Sequence, residues 1–173
     1  MTSFMTLIRK NGKGLVYNNI EDLSVMKVID TKTWKVKASW PLAPCGQPTG
    51  LALDPVNHRL FTVCRANKGL SVLDAETGKV ITTVPIGAGV DAVIYDAVNK
   101  LVFVSNADAT ATIIRQESAD KYAVVQTLTT VPRAKTMAFD RKTRKIYFSA
   151  PEFQPGTRNI LPGTFAVWVY KPE

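Results

Sequence analysis

The chain has 173 residues, 46% of them hydrophobic, and a net charge of +8 from 22 Lys and Arg against 14 Asp and Glu. A chain of this length forms one domain with a substantial core, burying roughly 70% of the surface that its unfolded form exposes. Its apolar residues come in short runs, far below the eighteen or so that cross a bilayer, so no transmembrane helix is expected. The opening stretch MTSFMTLIRKNGKG places apolar residues before basic ones, the wrong order for a signal peptide, so the chain is expected to be cytoplasmic or to lack its leader.

In chain order the sequence predicts strands at Phe4–Ile8, Gly14–Asn18, Ser24–Asp30 and Trp34–Leu42, rich in β-branched and aromatic residues and broken by Asn, Asp and Gly. The next four are Thr49–Leu53, Arg59–Cys64, Leu70–Asp74 and Lys79–Ile86. Asp54-Pro55-Val56-Asn57 makes the first turn among them, where proline presets φ and the Asp and Asn side chains bond nearby backbone. Thr77-Gly78 makes the last, with glycine supplying a positive φ. A third set occupies Asp91–Thr130. DAVIYDAVNK at 91–100 aligns with TGLALDPVNH, in which Pro55 would interrupt a helix, so both are read as a strand and its turn. The last set is Lys135–Phe139, Lys145–Ser149 and Thr164–Tyr170.

These sets repeat. Asp30-Thr31-Lys32-Thr33-Trp34-Lys35-Val36 lies on Asp74-Ala75-Glu76-Thr77-Gly78-Lys79-Val80 at an offset of 44, and Asp54, Asp96 and Asp140 follow one another at 42 and 44. Four antiparallel strands in about 40–45 residues are the mark of a β-propeller blade. A single twisted sheet of this composition cannot cover both its faces, whereas sheets stacked around an axis cover one another. The expected fold is therefore all-β, a β-propeller of four-stranded antiparallel blades. About four blades are expected, at 4–44, 48–87, 90–131 and 134–171 of a single domain, the last lacking its outer strand.

The stretches RLFTVCRANKGLSVLDAETGKVITTVPIG and KLVFVSNADATATIIR resemble the YVTN-type β-propeller repeat, with strands of the form LYVTN and VSVIDTATGK. The third unit departs from it, placing Arg115-Gln116 where an aspartate is expected. The resemblance implies a propeller, usually a ring of about seven blades, in a family whose members are often exported. It implies no single active site, since propellers of this type carry many functions. An arc of four blades leaves apolar faces at both ends, and two copies meeting head to tail in a ring of about eight blades is the expected way to cover them, with a four-bladed monomer or a fragment awaiting further blades as the alternatives.

In such a blade the outer-to-inner and second-to-third loops emerge on one face, which gathers Asn18, Asn19, Glu21, Asp22, Gln47, Arg65, Asn67, Lys68, Asp91, Asn106, Asp108, Arg133 and Glu152. Its irregular loops are the expected ligand face, for a protein or a small molecule. The opposite face carries the repeated Asp turns, read as turn formers. Basic residues divide evenly between the faces, which argues against nucleic acid as a partner, although Arg141, Lys142, Arg144 and Lys145 form a dense cluster, and no membrane partner is expected. Cys45 and Cys64 are brought to the same end of one hairpin and are expected as a disulfide or a close thiol pair. They lack the spacing and histidine partners of a zinc site. With His58 alone, no histidine-based triad is expected. The loop Ala150–Gly163, with three prolines, is read either as a surface cap on the last blade or as a partner contact. The leading expectation is a non-enzymatic binding scaffold without metal or cofactor. A lactonase-like, metal-dependent hydrolase is the alternative, and would need Glu21, Asp22, Asp91 and Asp108 to converge.

Overall fold

The computed structural model describes the backbone of residues 3–10 and 13–171, and side chains from Gly14 to Lys171. Every element among the described residues is a strand. The first sheet comprises β1 (Ser3–Lys10), β2 (Lys13–Ile20), β3 (Val25–Asp30) and β4 (Lys35–Pro41). The second comprises β5 (Pro48–Asp54), β6 (Arg59–Cys64), β7 (Gly69–Asp74) and β8 (Val80–Pro85). The third holds β9 (Val93–Asp96), β10 (Leu101–Asn106), β11 (Thr110–Ser118) and β12 (Lys121–Thr129), and the fourth β13 (Thr136–Asp140), β14 (Lys145–Ala150) and β15 (Ala166–Tyr170). Each is an antiparallel meander in chain order. Among the described residues the fourth sheet has three strands, so β15 is its edge.

The inner strands pack in succession, β1 on β5, β5 on β9 and β9 on β13, while β13 and β1 make no comparable contact. The molecule is an open arc of four blades. Three cores fill its three junctions. Tyr17, Met26 and Val28 meet Leu60, Leu73 and Ala75 between the first and second sheets. Phe61, Val63, Leu70 and Val72 meet Val93, Tyr95, Val102 and Ile114 between the second and third. Phe103, Ala111 and Ile113 meet Ile146, Phe148 and Ala150 between the third and fourth. Because neighbours cover both faces of the second sheet, β6 and β7 lose the alternation of a half-buried strand and are buried almost throughout. Each large side chain so enclosed contributes about 1.5–3 kcal/mol.

The junctions are close at the axis. A Cβ on Gly50 of β5 would lie 2.7 Å from the Asp91 carbonyl and 2.9 Å from the Val93 nitrogen, so this strand tolerates only glycine against its neighbour.

Both aspartate series are turn clamps. Asp54 Oδ1 accepts from the Val56 and Asn57 nitrogens at 3.0 and 3.2 Å, and Asp96 Oδ1 from those of Val98 and Asn99 at 3.0 and 3.4 Å. Asp30 and Asp74 do the same in the third-to-outer turns. These turns end in left-handed backbone, with Gly78 at φ 76° and, one repeat earlier, Trp34 at φ 53°.

The outward face of the fourth sheet is uncovered. Register places Ala138, Tyr147 and Val169 side by side, with Thr136, Ser149 and Val167 in the adjoining row. Val167 and Val169 are 57% and 52% exposed, and Phe165 just before them 67%. On the outward side of the first sheet, Val25, Lys27 and Ile29 alternate with the buried Met26 and Val28, and Val36, paired with Ile29, is 57% exposed.

Candidate functional site

The expected ligand face is held together mainly by contacts between blades. At its centre Arg65, just past the end of β6, extends its guanidinium toward the neighbouring sheets. Nη1 donates to Glu21 Oε1 at 2.7 Å, Nη2 to Asp91 Oδ1 at 2.8 Å and Nε to the Val90 carbonyl at 3.3 Å. Glu21 belongs to the β2–β3 loop and Asp91 to the loop entering β9, so one half-buried cation ties three blades. An Arg fork suits two carboxylates arriving from different sides. The same geometry occupies the acids that a metal site would have used.

Asn19 and Asn106 correct the expectation that they line a loop surface. Both are fully buried at strand ends. Asn19 Nδ2 crosses to the second blade, donating to the Thr49 carbonyl at 2.9 Å and Thr62 Oγ1 at 2.8 Å. Asn106 Nδ2 donates to Thr110 and Thr112 Oγ1, both at 3.0 Å. The strands run further than the sequence suggests, because the ladder pairs Ile20 with Val25 and Asn106 with Thr110. A polar side chain at the last rung then faces its own sheet or the next one instead of water. The amide oxygens of both residues, and Thr130 Oγ1, are buried without a partner.

Of the others, Asn18 lies within β2, opposite Lys27. Asp22 is exposed in the β2–β3 loop. Asn67 Oδ1 accepts from the Gly46 nitrogen at 3.3 Å, and Gln47 donates its backbone N–H to Ser24 Oγ at 3.2 Å. Asp108 is a cap, accepting from the Ala88 nitrogen and Thr110 Oγ1, both at 2.6 Å. Arg133 serves the long loop. Its guanidinium stands 4.4 Å above the Phe153 ring and donates to the Thr157 carbonyl at 3.0 Å, and Phe153 bridges back to Ile160. Glu152 donates its backbone N–H to Thr164 Oγ1. Glu21 and Asp91 therefore meet through Arg65, while Asp22 and Asp108 stay apart from them. Among the described residues no three His, Cys, Asp or Glu side chains are grouped to hold a metal.

Cys45 and Cys64 form a disulfide across 19 residues, buried in the junction between the first and second blades. It fixes the loop entering the second blade to the end of β6. The opposite end of the molecule holds a network that the sequence did not disclose. Gln116, in the position where the repeat expects aspartate, is buried and turned toward the second blade. Its Nε2 donates to Asp54 Oδ2 at 2.9 Å and Tyr122 Oη at 3.0 Å, and its Oε1 accepts from Tyr95 Oη at 2.5 Å. Burial alone would raise the Asp54 pKa, but bonds from Asn57, Gln116 and two backbone N–H groups outweigh it and hold the carboxyl below its usual range. Burial, with Asp54 beside it, raises Tyr95, and burial pushes Tyr122 up to about 12. The signal available in the sequence was the departure Arg115-Gln116 itself.

Antiparallel meanders stacked through their inner strands define a β-propeller protein, here an open arc whose loop face is braced by Arg65. No protein-family model matches the chain, and no curated protein matches it. Solved structures share the fold. Hydrazine synthase of Kuenenia stuttgartiensis superposes with a TM-score of 0.74 at 13% identity, over 91% of this chain and 42% of that one. A functionally unknown protein of Desulfotomaculum acetoxidans gives 0.67 at 11% identity, over 92% and 58%. A chain of a mitotic checkpoint complex gives 0.67 at 16% identity, over 83% and 45%. The chain thus spans 42% to 58% of these neighbours. No helix among the described residues is long and apolar enough to cross a membrane.

Proposed function

We propose that the chain is a non-enzymatic interaction scaffold that completes its ring with a second copy, the two arcs meeting head to tail in about eight blades. The uncovered face of the fourth sheet carries this reading. Phe165, Val167 and Val169 stand in water there while the equivalent faces of the first three sheets are packed against a neighbour. Ile29 and Val36, paired across β3 and β4, offer apolar surface at the other end of the arc, with Val25 two rungs away beyond Lys27. A head-to-tail contact brings these unlike surfaces together and repeats until the ring closes. The bracing of Glu21, Asp91 and Asp108 supports a binding role over a hydrolytic one, because each carboxylate already has a donor.

Light scattering on the eluting protein at micromolar concentration tests this. The expected mass is twice the 19.0 kDa of the chain. V167K/V169K, on exposed positions that leave the three cores untouched, is expected to elute at the single-chain mass. A parent protein at the single-chain mass across the concentration range overturns self-association. Metal analysis of the purified protein addresses the hydrolase reading, for which stoichiometric divalent metal would be the favourable result.

A further inference from the structure

We propose that the face carrying the aspartate-clamped turns is a docking surface for an anionic lipid bilayer. Three observations converge on it. First, the most exposed large apolar residues of the described chain, Val98, Val56 and Trp34 at 85%, 78% and 75%, all sit at turn tips on this face. None of them packs into a core. Val56 and Val98 occupy matching positions in neighbouring inner turns, whose bases are linked by Tyr95 Oη and Asp54 Oδ2 at 3.3 Å. Each tip is held outward by its Asp clamp, so it cannot fold back.

Second, Trp34 stands where the following repeat has Gly78, with the same backbone bond from the residue at its position to the clamp aspartate's carbonyl, at 2.8 and 2.9 Å. The turn needs left-handed backbone, and Trp34 adopts it at φ 53°. A bulky aromatic there is strained, and its exposed ring gains no packing within the chain in return. Strain retained without an internal benefit points to a contact outside the molecule, and an indole favours the headgroup layer, where its apolar body and N–H are both accommodated.

Third, most acids of this face are turned inward or paired, and many of its cations are not. Asp54 and Asp96 are buried, Asp74 and Asp120 bind Arg59, Glu117 binds Lys121 and Glu76 meets His58, while Asp30 and Asp140 stay partly exposed and bond only within their own turns. Lys32, Lys100, Arg141, Lys142 and Arg144 are exposed at the turns, and none forms an ion pair within 4 Å among the described residues. Apolar tips among unpaired cations match a bilayer's acyl boundary beneath phosphate headgroups. This surface attachment requires no membrane-crossing segment, and it does not depend on ring completion.

Vesicle flotation provides the test, comparing phosphatidylcholine alone with phosphatidylcholine containing phosphatidylserine. The protein is expected to float with the second and not the first, and to be released by raised salt. R141Q/K142Q/R144Q is expected to weaken binding on the order of 100-fold, and V56D/V98D roughly tenfold or more. W34G is the most diagnostic variant, because it relieves the backbone and so is expected to raise the thermal midpoint while weakening flotation. Equal flotation with neutral vesicles, no flotation with either, or unaltered binding by W34G and V56D/V98D with intact circular dichroism would each overturn the proposal. So would retention on a nucleic acid by a protein that ignores vesicles.

Discussion

Gln116 is the residue whose replacement tests the account of blade packing most directly. In Q116L the Asp54 carboxylate loses a 2.9 Å donor, Tyr122 Oη loses a 3.0 Å donor, and Tyr95 Oη loses its 2.5 Å acceptor. A bond to a buried charge contributes about 1.5–3 kcal/mol and a neutral one about 1 kcal/mol. Tyr95 can still donate to Asp54, and Tyr122 still donates to the Ala119 carbonyl at 2.7 Å, which limits the loss. Leucine also returns about 1 kcal/mol of apolar burial. The net cost is about 2–3 kcal/mol, a fall of roughly 5–10 °C in Tm for a chain of this size. Q116E adds a diagnostic. A glutamate beside Asp54, in the same burial, has its folded pKa raised above about 4.3. Its penalty is therefore absent below that pH and grows as pH rises toward the folded pKa. Urea unfolding from pH 4.5 to 8 should show Q116E near Q116L at the acid end and at least about 2 kcal/mol less stable near pH 7. A Q116L protein within about 0.5 kcal/mol of the parent, or a Q116E deficit that does not change with pH, would refute the reasoning.

Reduction of the Cys45–Cys64 disulfide, which closes a loop across 19 residues, should cost about 3 kcal/mol. Denaturant midpoints with and without reductant measure it, and C45A/C64A should no longer respond to reductant. R65M leaves Glu21 and Asp91 without their shared cation. With Arg65 about one-third exposed, solvent screening holds the cost to about 1–2 kcal/mol, read as a lowered urea midpoint that high salt partly reproduces in the parent. Asp54 and Asp74 both have pKa values held below the ordinary carboxylate range, so their contribution is complete above about pH 4 and is lost as pH falls through the folded values. The unfolding midpoint of the parent should be flat from about pH 5 to 8 and drop on acidification. G50A drives a Cβ into the backbone at Asp91 and Val93 and should destabilise more than any substitution at an exposed turn, as thermal melts would report.

The strand pattern and the blade period were legible because they follow from local chemistry. DPVN and DAVN dictate clamped turns by themselves, and Thr77-Gly78 closes a hairpin by itself. The continuous apolar runs LFTVC and LVFV announce sheets covered on both sides. The candidate site was less legible, because its meaning depends on neighbours that lie far off in the chain. Asn19 reads as a loop residue until its amide is seen against Thr62, 43 positions away. Arg65 reads as a ligand-binding cation until Glu21 and Asp91 are found on either side of it. Gln116 was visible as a break in the repeat, but its partner Asp54 lies 62 positions earlier. Polar residues that act between blades have no periodicity to reveal them.

Those irregular bonds have a consequence for assembly. Repeated modules with nearly interchangeable apolar sides could stack in several orders, and burial alone would discriminate poorly among them. Asn19 fits only the blade that offers Thr62, and Arg65 only a site flanked by Glu21 and Asp91. The first two junctions thereby carry an address of their own, and a shuffled order of blades would bury these same groups with no counterpart to receive them.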